Sequence, residues 1–344
     1  MKFFVFAMVM GVGPAAFGQI ERIEALTKEG IALHDKGDYP AAIEKYQQVL
    51  RYDPNSDLMN YEIAFSYAQN KNYYKAIEHC DIVLNGKGQS QMLAVVLKGD
   101  CLDNLGKVKD ADTFWKKSLK QYPQQYLLWL NYGIRSNKAG EPDVAEDAFL
   151  RALDLKGDHP GSHWNLAQLK LRRGDKLKGI LGLYFFLMLE NNTPRAAEAL
   201  STLLANLDIP ETGQSKDSTK INLNISFPVS HSKLSRTDLG EVGLYLITTM
   251  NAELSKNKNQ WEALSYNTDK IFLLLGEIQS QGEKRVEDYW WGFYIPFFYH
   301  LNSAGYSEAM AYHIATAAHD PVAESWKKYN HEKMEAFAAW LKNQ

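Results

Sequence analysis

The chain has 344 residues, a net charge of −3 and 23% charged residues, an ordinary soluble balance with enough material for about two domains, or for one repeat array plus an added domain. It has no concentrated Lys/Arg stripe, which excludes the phosphate-neutralising surface of a nucleic-acid binder. Two cysteines, Cys80 and Cys101, are too few for a disulfide scaffold; they read as two buried thiols, with one bridge between neighbouring helices as the alternative in an oxidising compartment.

Residues 1–18, "MKFFVFAMVMGVGPAAFG", put one lysine before a short apolar run and end in small residues. That is the outline of a secretory signal peptide, cleaved near Gln19. A membrane-spanning helix needs about 20 apolar residues, whereas this run is interrupted by glycines and by Pro14. No cysteine closes the run, so the expectation is a soluble, exported product, periplasmic or secreted, without a membrane span in the mature chain. The ending "FGQ" resembles signal peptides of Bacteroidota.

A period follows at once. Small residues Gly30, Ala64, Gly99, Gly133 and Ala167 recur at steps of 34, 35, 34 and 34, and Ala42, Ala76, Ala111, Ala145 and Gly179 keep the same steps. Gly37, Lys71, Gly106, Gly140 and Gly174 mark the point between the two series, and bulky residues stand four positions after the second, at Tyr46, Cys80, Trp115, Phe149 and Leu183. Two helices joined by a tight turn approach closely only where side chains are small. Glycine in the turn accepts the left-handed conformation that ends the first helix, and Asp-Pro after the second forbids its continuation. The pattern predicts about five stacked helix-turn-helix units of about 34 residues each.

These residues resemble the tetratricopeptide repeat (TPR), with "WLNYGIRSNKAGEPDVAEDAFLRAL" (129–153) and "WNLAQLKLRRGD" (164–175) most similar to it. The resemblance covers about 20–192. It departs from the pattern where Leu26, Asn60, Val95 and His163 hold the early aromatic position, Lys71 the turn glycine and Gly179 the packing alanine. It implies an all-α, TPR-type helical-hairpin solenoid whose first helices line a concave groove for a protein or peptide partner. Its groove positions fall on Leu58, Tyr61, Phe65 and Gln69; on Leu93, Val96, Asp100, Asp103 and Asn104; on Leu127, Leu130, Ile134, Asn137 and Lys138; and on Trp164, Gln168 and Arg172. The basic and Asn clamp that some members use for a terminal carboxylate is absent, since Thr27, Ile31, Tyr61 and Phe65 occupy those positions.

Beyond the repeats, "TPRAAEALSTLLANLD" (193–208) reads as one further helix covering the end of a 19–208 array, with Thr193 as N-cap and Pro194 in its first turn. A polar linker at 209–219 precedes a mostly helical C-terminal domain, 220–344. "KINLNISFP" (220–228) alternates apolar and polar residues and is the one candidate β-strand. Helices are expected at 237–256, 259–281, 286–302, 306–318 and 321–342. "YWWGFYIPFFYH" (289–300) holds eight aromatics in twelve residues, which implies a buried helix kinked at Pro296. Ala309 stands before Pro321 as Ala42 stands before Pro54, so 290–320 reads as a further hairpin of the same kind.

Reactive constellations are not evident. His331-Glu332 lacks a second histidine one turn on, and Pro160-Gly161 separates His159 from His163. His300, His313 and His319 accompany an apolar segment and read as core or capping residues, and no phosphate or dinucleotide loop occurs. The expectation is therefore a non-enzymatic scaffold or assembly factor with no cofactor and no metal, its oligomeric state open. The alternative places glycan or ligand recognition in the aromatic-rich C-terminal domain, with the repeats as a mount.

Overall fold

The computed structural model describes residues 14–209, 235–254, 258–280 and 288–344, and every regular element among them is helical, as the all-α expectation requires. The candidate strand 220–228, the linker apart from Ile209, and residues 1–13 of the expected leader lie outside the described residues. The chain forms two compact units, one ending at Arg135 and the other beginning at Ser136.

Unit one holds three helical hairpins. α1 (Pro14–Asp35) pairs with α2 (Tyr39–Leu50), α3 (Asp57–Gln69) with α4 (Tyr73–Asn85), and α5 (Gln91–Asn104) with α6 (Val108–Gln121); α7 (Tyr126–Lys138) begins after them. The turns share one hydrogen-bond scheme. Gly37, Lys71 and Gly106 all have φ between 60° and 81°, and the next amide donates to a carbonyl five residues back: Asp38 to Leu33, Asn72 to Tyr67 and Lys107 to Leu102. This bond satisfies one of the carbonyls that a helix end leaves orphaned. Asp38 and Asn72 then cap the following helix, accepting from the amides of Ala41 and Lys75.

Close packing explains the two small series. A Cβ at Gly30 would run into the ring of Tyr46, and one at Gly99 into the indole of Trp115. Where the second helix offers the smaller Cys80, the first helix carries Ala64 instead. The bulky partner of each hairpin is thus seated against the small residue of the first helix, and Tyr46, Cys80 and Trp115 are all fully buried. Cys80 and Cys101 are free thiols in one apolar cluster with Ala64, Ala76 and Val83. Burial pushes the Cys101 thiol up to about 12 and raises Cys80 further, so both stay protonated and unreactive.

Unit two opens with two hairpin turns of the same kind, at Gly140 and Gly174, where Glu141 donates to Ser136 and Asp175 to Lys170. Its helices are α8 (Pro142–Leu155), α9 (Pro160–Arg172), α10 (Lys176–Leu189) and α11 (Pro194–Asn206), then α12 (Arg236–Leu254), α13 (Gln260–Ser280), α14 (Ile295–Ser303), α15 (Ser307–Ala315), α16 (Pro321–Tyr329) and α17 (His331–Leu341). Thr193 caps α11 through its hydroxyl, which accepts from the Ala196 amide, and Pro194 opens the helix. Gly179 replaces an alanine because Leu171 fills the space where a Cβ would stand.

α10 is buried on all sides. α9 and α11 pack against it, as do α12, α15 and the aromatic segment. Phe185 meets Phe293, Tyr294, Phe297 and Phe298, while Tyr184 meets Phe272 and Phe298. The aromatic segment begins as a π-helix, Trp290–Tyr294. In that geometry Pro296 lies where an amide would bond to the carbonyl of Trp291. Proline has none, and the side-chain amide of Gln279 donates to that carbonyl instead, at 2.8 Å. The turn after α14 repeats the scheme of the N-terminal hairpins, with Gly305 at φ 79° and the Tyr306 amide donating to Leu301. The helix expected over 321–342 is broken at Asn330, whose φ of −110° and ψ of 34° separate α16 from α17.

Candidate functional site

Ser56 fixes the start of α3, its hydroxyl accepting from the Met59 amide. Ile63, Ala64 and Ser66 then turn inward and are fully buried, while Leu58, Tyr61, Glu62, Phe65 and Gln69 share the opposite face. On that face the rings of Tyr61 and Phe65, one helical turn apart, are parallel within 5° at 6.1 Å between centroids. The imidazole of His34, in the last turn of α1, continues the stack at 4.8 Å from Phe65. Its Nδ1 lies 2.9 Å from the Ser66 hydroxyl, and Tyr39 packs edge-on against it at 5.1 Å. Burial holds His34 below the usual histidine range, so it stays neutral at pH 7. It also pushes the Tyr61 phenol up to about 12.

Around this stack the same face exposes Ile31 of α1 at 44%, Leu58 of α3 at 47% and Leu93 of α5 at 46%. Leu58 and Leu93 occupy the same register position one repeat apart. Gln69, Asp100 and Asn104 are exposed beside them, and the Asn104 amide donates to the Asp100 carbonyl. Two expected positions are engaged otherwise. Asp103 accepts from the Trp115 indole at 3.0 Å and from Arg135 Nε at 3.2 Å, and Leu130, 7% exposed, belongs to the core. Ile134 is half-buried.

In unit two, Asn137 is half-buried and Lys138 exposed at the end of α7. On α9, Trp164 is half-buried with its ring 5.2 Å from Phe186, Gln168 is half-buried and Arg172 is exposed. His163, on the inner face of α9, is a core residue. Its Nδ1 lies 2.6 Å from the Tyr294 hydroxyl and its Nε2 2.7 Å from the Gly157 carbonyl, and burial pushes it down to about 4. Trp290 and Trp291 are each 2% exposed, so neither offers a ring face to a sugar.

Three residues of the unit-one face escaped the reading of the sequence: His34, Asp35 and Glu62. The signal lay in the register, because Glu62 falls between two groove positions on the same side of α3. Among the described residues no group of three or more His, Cys, Asp or Glu is placed to hold a metal ion, and no helix is long and apolar enough to cross a membrane.

The family described as TPR repeat matches residues 30–71, from Gly30 through α2 and α3 to Lys71. Over 125 residues the chain is 26% identical to a TPR repeat-containing protein of Methanocaldococcus jannaschii, a match covering 36% of this chain and 22% of the relative, so it spans about a fifth of that protein's length. Among solved structures, it is similar to a thermophilic TPR protein of Thermus thermophilus, with 19% identity, a TM-score of 0.44 and coverage of 54% of this chain and 98% of that one. It is also similar to pilF of Pseudomonas aeruginosa, with 17% identity, a TM-score of 0.41 and coverage of 55% and 90%.

Proposed function

We propose that this chain is a non-enzymatic interaction protein of the cell envelope. It docks an extended segment or helix of another protein on its first-helix face and acts as a scaffold or assembly factor. The observation that carries this reading is the His34–Phe65–Tyr61 ring stack, left half-open beside exposed Ile31, Leu58 and Leu93. Rigid aromatic faces next to apolar side chains suit the anchors that dominate protein recognition, and the rim of Gln69, Asp100 and Asn104 supplies polar groups to fix register. In unit two, Trp164, Gln168 and Arg172 offer a second, smaller set on α9. The envelope location rests on the leader-like run of residues 1–18.

The test is affinity capture from envelope extracts with the wild-type chain and with a Tyr61→Ala, Trp164→Ala double variant. Loss of specific partners from the variant supports the reading. Recovery of the same partners at the same yield removes both faces from it.

A further inference from the structure

In unit two, a polar cleft of about 580 Å³ opens between the α10–α11 connection, the end of α15 and α16, a volume in the range of small-molecule sites. One wall is fixed by hydrogen bonds. The side-chain amide of Asn191 donates to the His313 carbonyl at 2.8 Å and to the Thr316 hydroxyl at 3.1 Å, while His313 Nε2 donates to the Met188 carbonyl at 3.1 Å. Both amide hydrogens of Asn191 are thereby engaged, and its side-chain oxygen is left as an acceptor.

Three further lining side chains, His319, Glu324 and Lys327, have no ion pair or hydrogen bond among the described residues. Lys327 is half-buried. Every other buried or half-buried lysine or arginine described in unit two, Lys170 and Lys178 among them, pairs with a carboxylate. Glu324 stands three residues before Lys327 on α16, the spacing at which Arg151 and Asp154 meet at 3.8 Å, yet these two stay apart. His319 holds φ 50°, a left-handed conformation that the hairpin turns give to glycine everywhere except Lys71. Its exposed side chain makes no bond among the described residues that offsets the strain.

We propose that this cleft binds a small zwitterion of the amino-acid class, with the ligand carboxylate on Lys327 and its ammonium on Glu324. The two opposite charges, held apart in one cleft, match the two ends of such a ligand. The Asn191 side-chain oxygen accepts a further N–H of the ammonium, and the imidazole of His319 meets the remainder of the ligand. An anion alone would face the Glu324 carboxylate, and a cation alone the Lys327 ammonium.

The thermal midpoint of the full chain is measured with each of the common amino acids at millimolar concentration, and the strongest stabiliser is titrated by calorimetry beside its N-acetyl and methyl ester forms. Glu324→Gln and Lys327→Met are each expected to weaken the amino acid about tenfold. Glu324→Gln does not weaken the N-acetyl form further, nor Lys327→Met the methyl ester, because the group each residue meets is already gone. His319→Gly raises the midpoint of the unliganded chain by releasing the strain, and weakens the amino acid. The zwitterion site is overturned if no amino acid raises the midpoint, if the blocked forms bind as well as the parent, or if affinity survives both charge substitutions. Capture by the unit-one face is untouched by any of these outcomes.

Discussion

Unit one and unit two use the same turn and place their aromatic residues differently. In unit two, Tyr184, Phe186, Tyr294 and Phe298 are buried around α10, and the density of rings over 289–300 builds a core. In unit one, Tyr61, Phe65 and His34 form a short stack with one side in solvent. A run of aromatics in sequence is thus poor evidence for a binding platform, because what packs over the run decides its role. Unit two covers its rings with C-terminal helices, whereas the three rings on α1 and α3 remain open enough to be used.

The largest expected effects test that contrast by stability. Phe298→Ala removes a side chain seated between Phe272, Tyr184 and Phe185, and is expected to cost about 3–5 kcal/mol in denaturant unfolding. Phe65→Ala, on the open face, is expected to cost about 1 kcal/mol or less while abolishing partner capture. Equal costs at the two sites would erase the distinction.

Acid sensitivity should be larger in unit two, although burial also lowers His34 and His79 in unit one. His163 is held neutral between Tyr294 and Gly157, its pKa pushed from about 6.5 to about 4 by burial. The folded state then binds fewer protons than the unfolded one between those values. The stability it contributes is full above about pH 6.5 and falls as pH drops towards 4, by up to about 3 kcal/mol. His159 and His313, also lowered by burial, act in the same direction. Denaturant unfolding followed through Trp290 and Trp291 at pH 7 and pH 4.5 measures the loss, and His163→Gln flattens it. An unchanged slope in that variant would assign the acid sensitivity to other groups.

The hairpins were legible because each needs a small residue, a left-handed turn and a bulky filler at fixed spacing, and those residues repeat. The C-terminal helices were legible in outline. The π-turn at Trp290 was not, because it depends on Gln279, a residue of another helix that supplies the hydrogen bond Pro296 cannot. Nor did the sequence mark the break at Asn330. For the site, the register found the face and the Tyr61–Phe65 pair, yet it could not tell open positions from occupied ones. Asp103 and Leu130 share that register and are taken up by Trp115, Arg135 and the core. Exposure depends on what lies opposite, which periodicity within one helix does not report.

A smaller effect concerns the turns that both units share. Lys71 alone among the hairpin turn residues at 37, 71, 106, 140, 174 and 305 is not glycine, and it holds φ 60°. A side chain in that region is strained, though the freer unfolded state of a glycine there offsets part of the relief. Lys71→Gly should therefore stabilise unit one by about 0.5–1 kcal/mol in thermal unfolding. A destabilised variant would mean that the lysine side chain makes up for the strain of its backbone.

The smallest expected change bears most directly on the contrast between the units. Two cations of unit two are matched: Lys170, almost fully buried, sits 2.6 Å from Glu146 and 3.1 Å from Asp175, and Lys178 lies 2.7 Å from Asp288. Glu62 in unit one has no such partner among the described residues, and its carboxyl is raised by burial and by Asp35. A carboxyl raised in the folded state binds its proton more tightly there, so its contribution to stability is complete below the unfolded value near pH 4.3 and is lost as pH rises through the folded one. Glu62→Gln keeps the shape and removes the charge. It should raise the thermal midpoint of unit one at pH 7, by an amount that shrinks as pH is lowered to about 4. A variant less stable than wild type at pH 7 would mean that the carboxylate is already satisfied within the free chain. The open face would then resemble the surroundings of Lys170 and Lys178, where the charges are engaged by the fold.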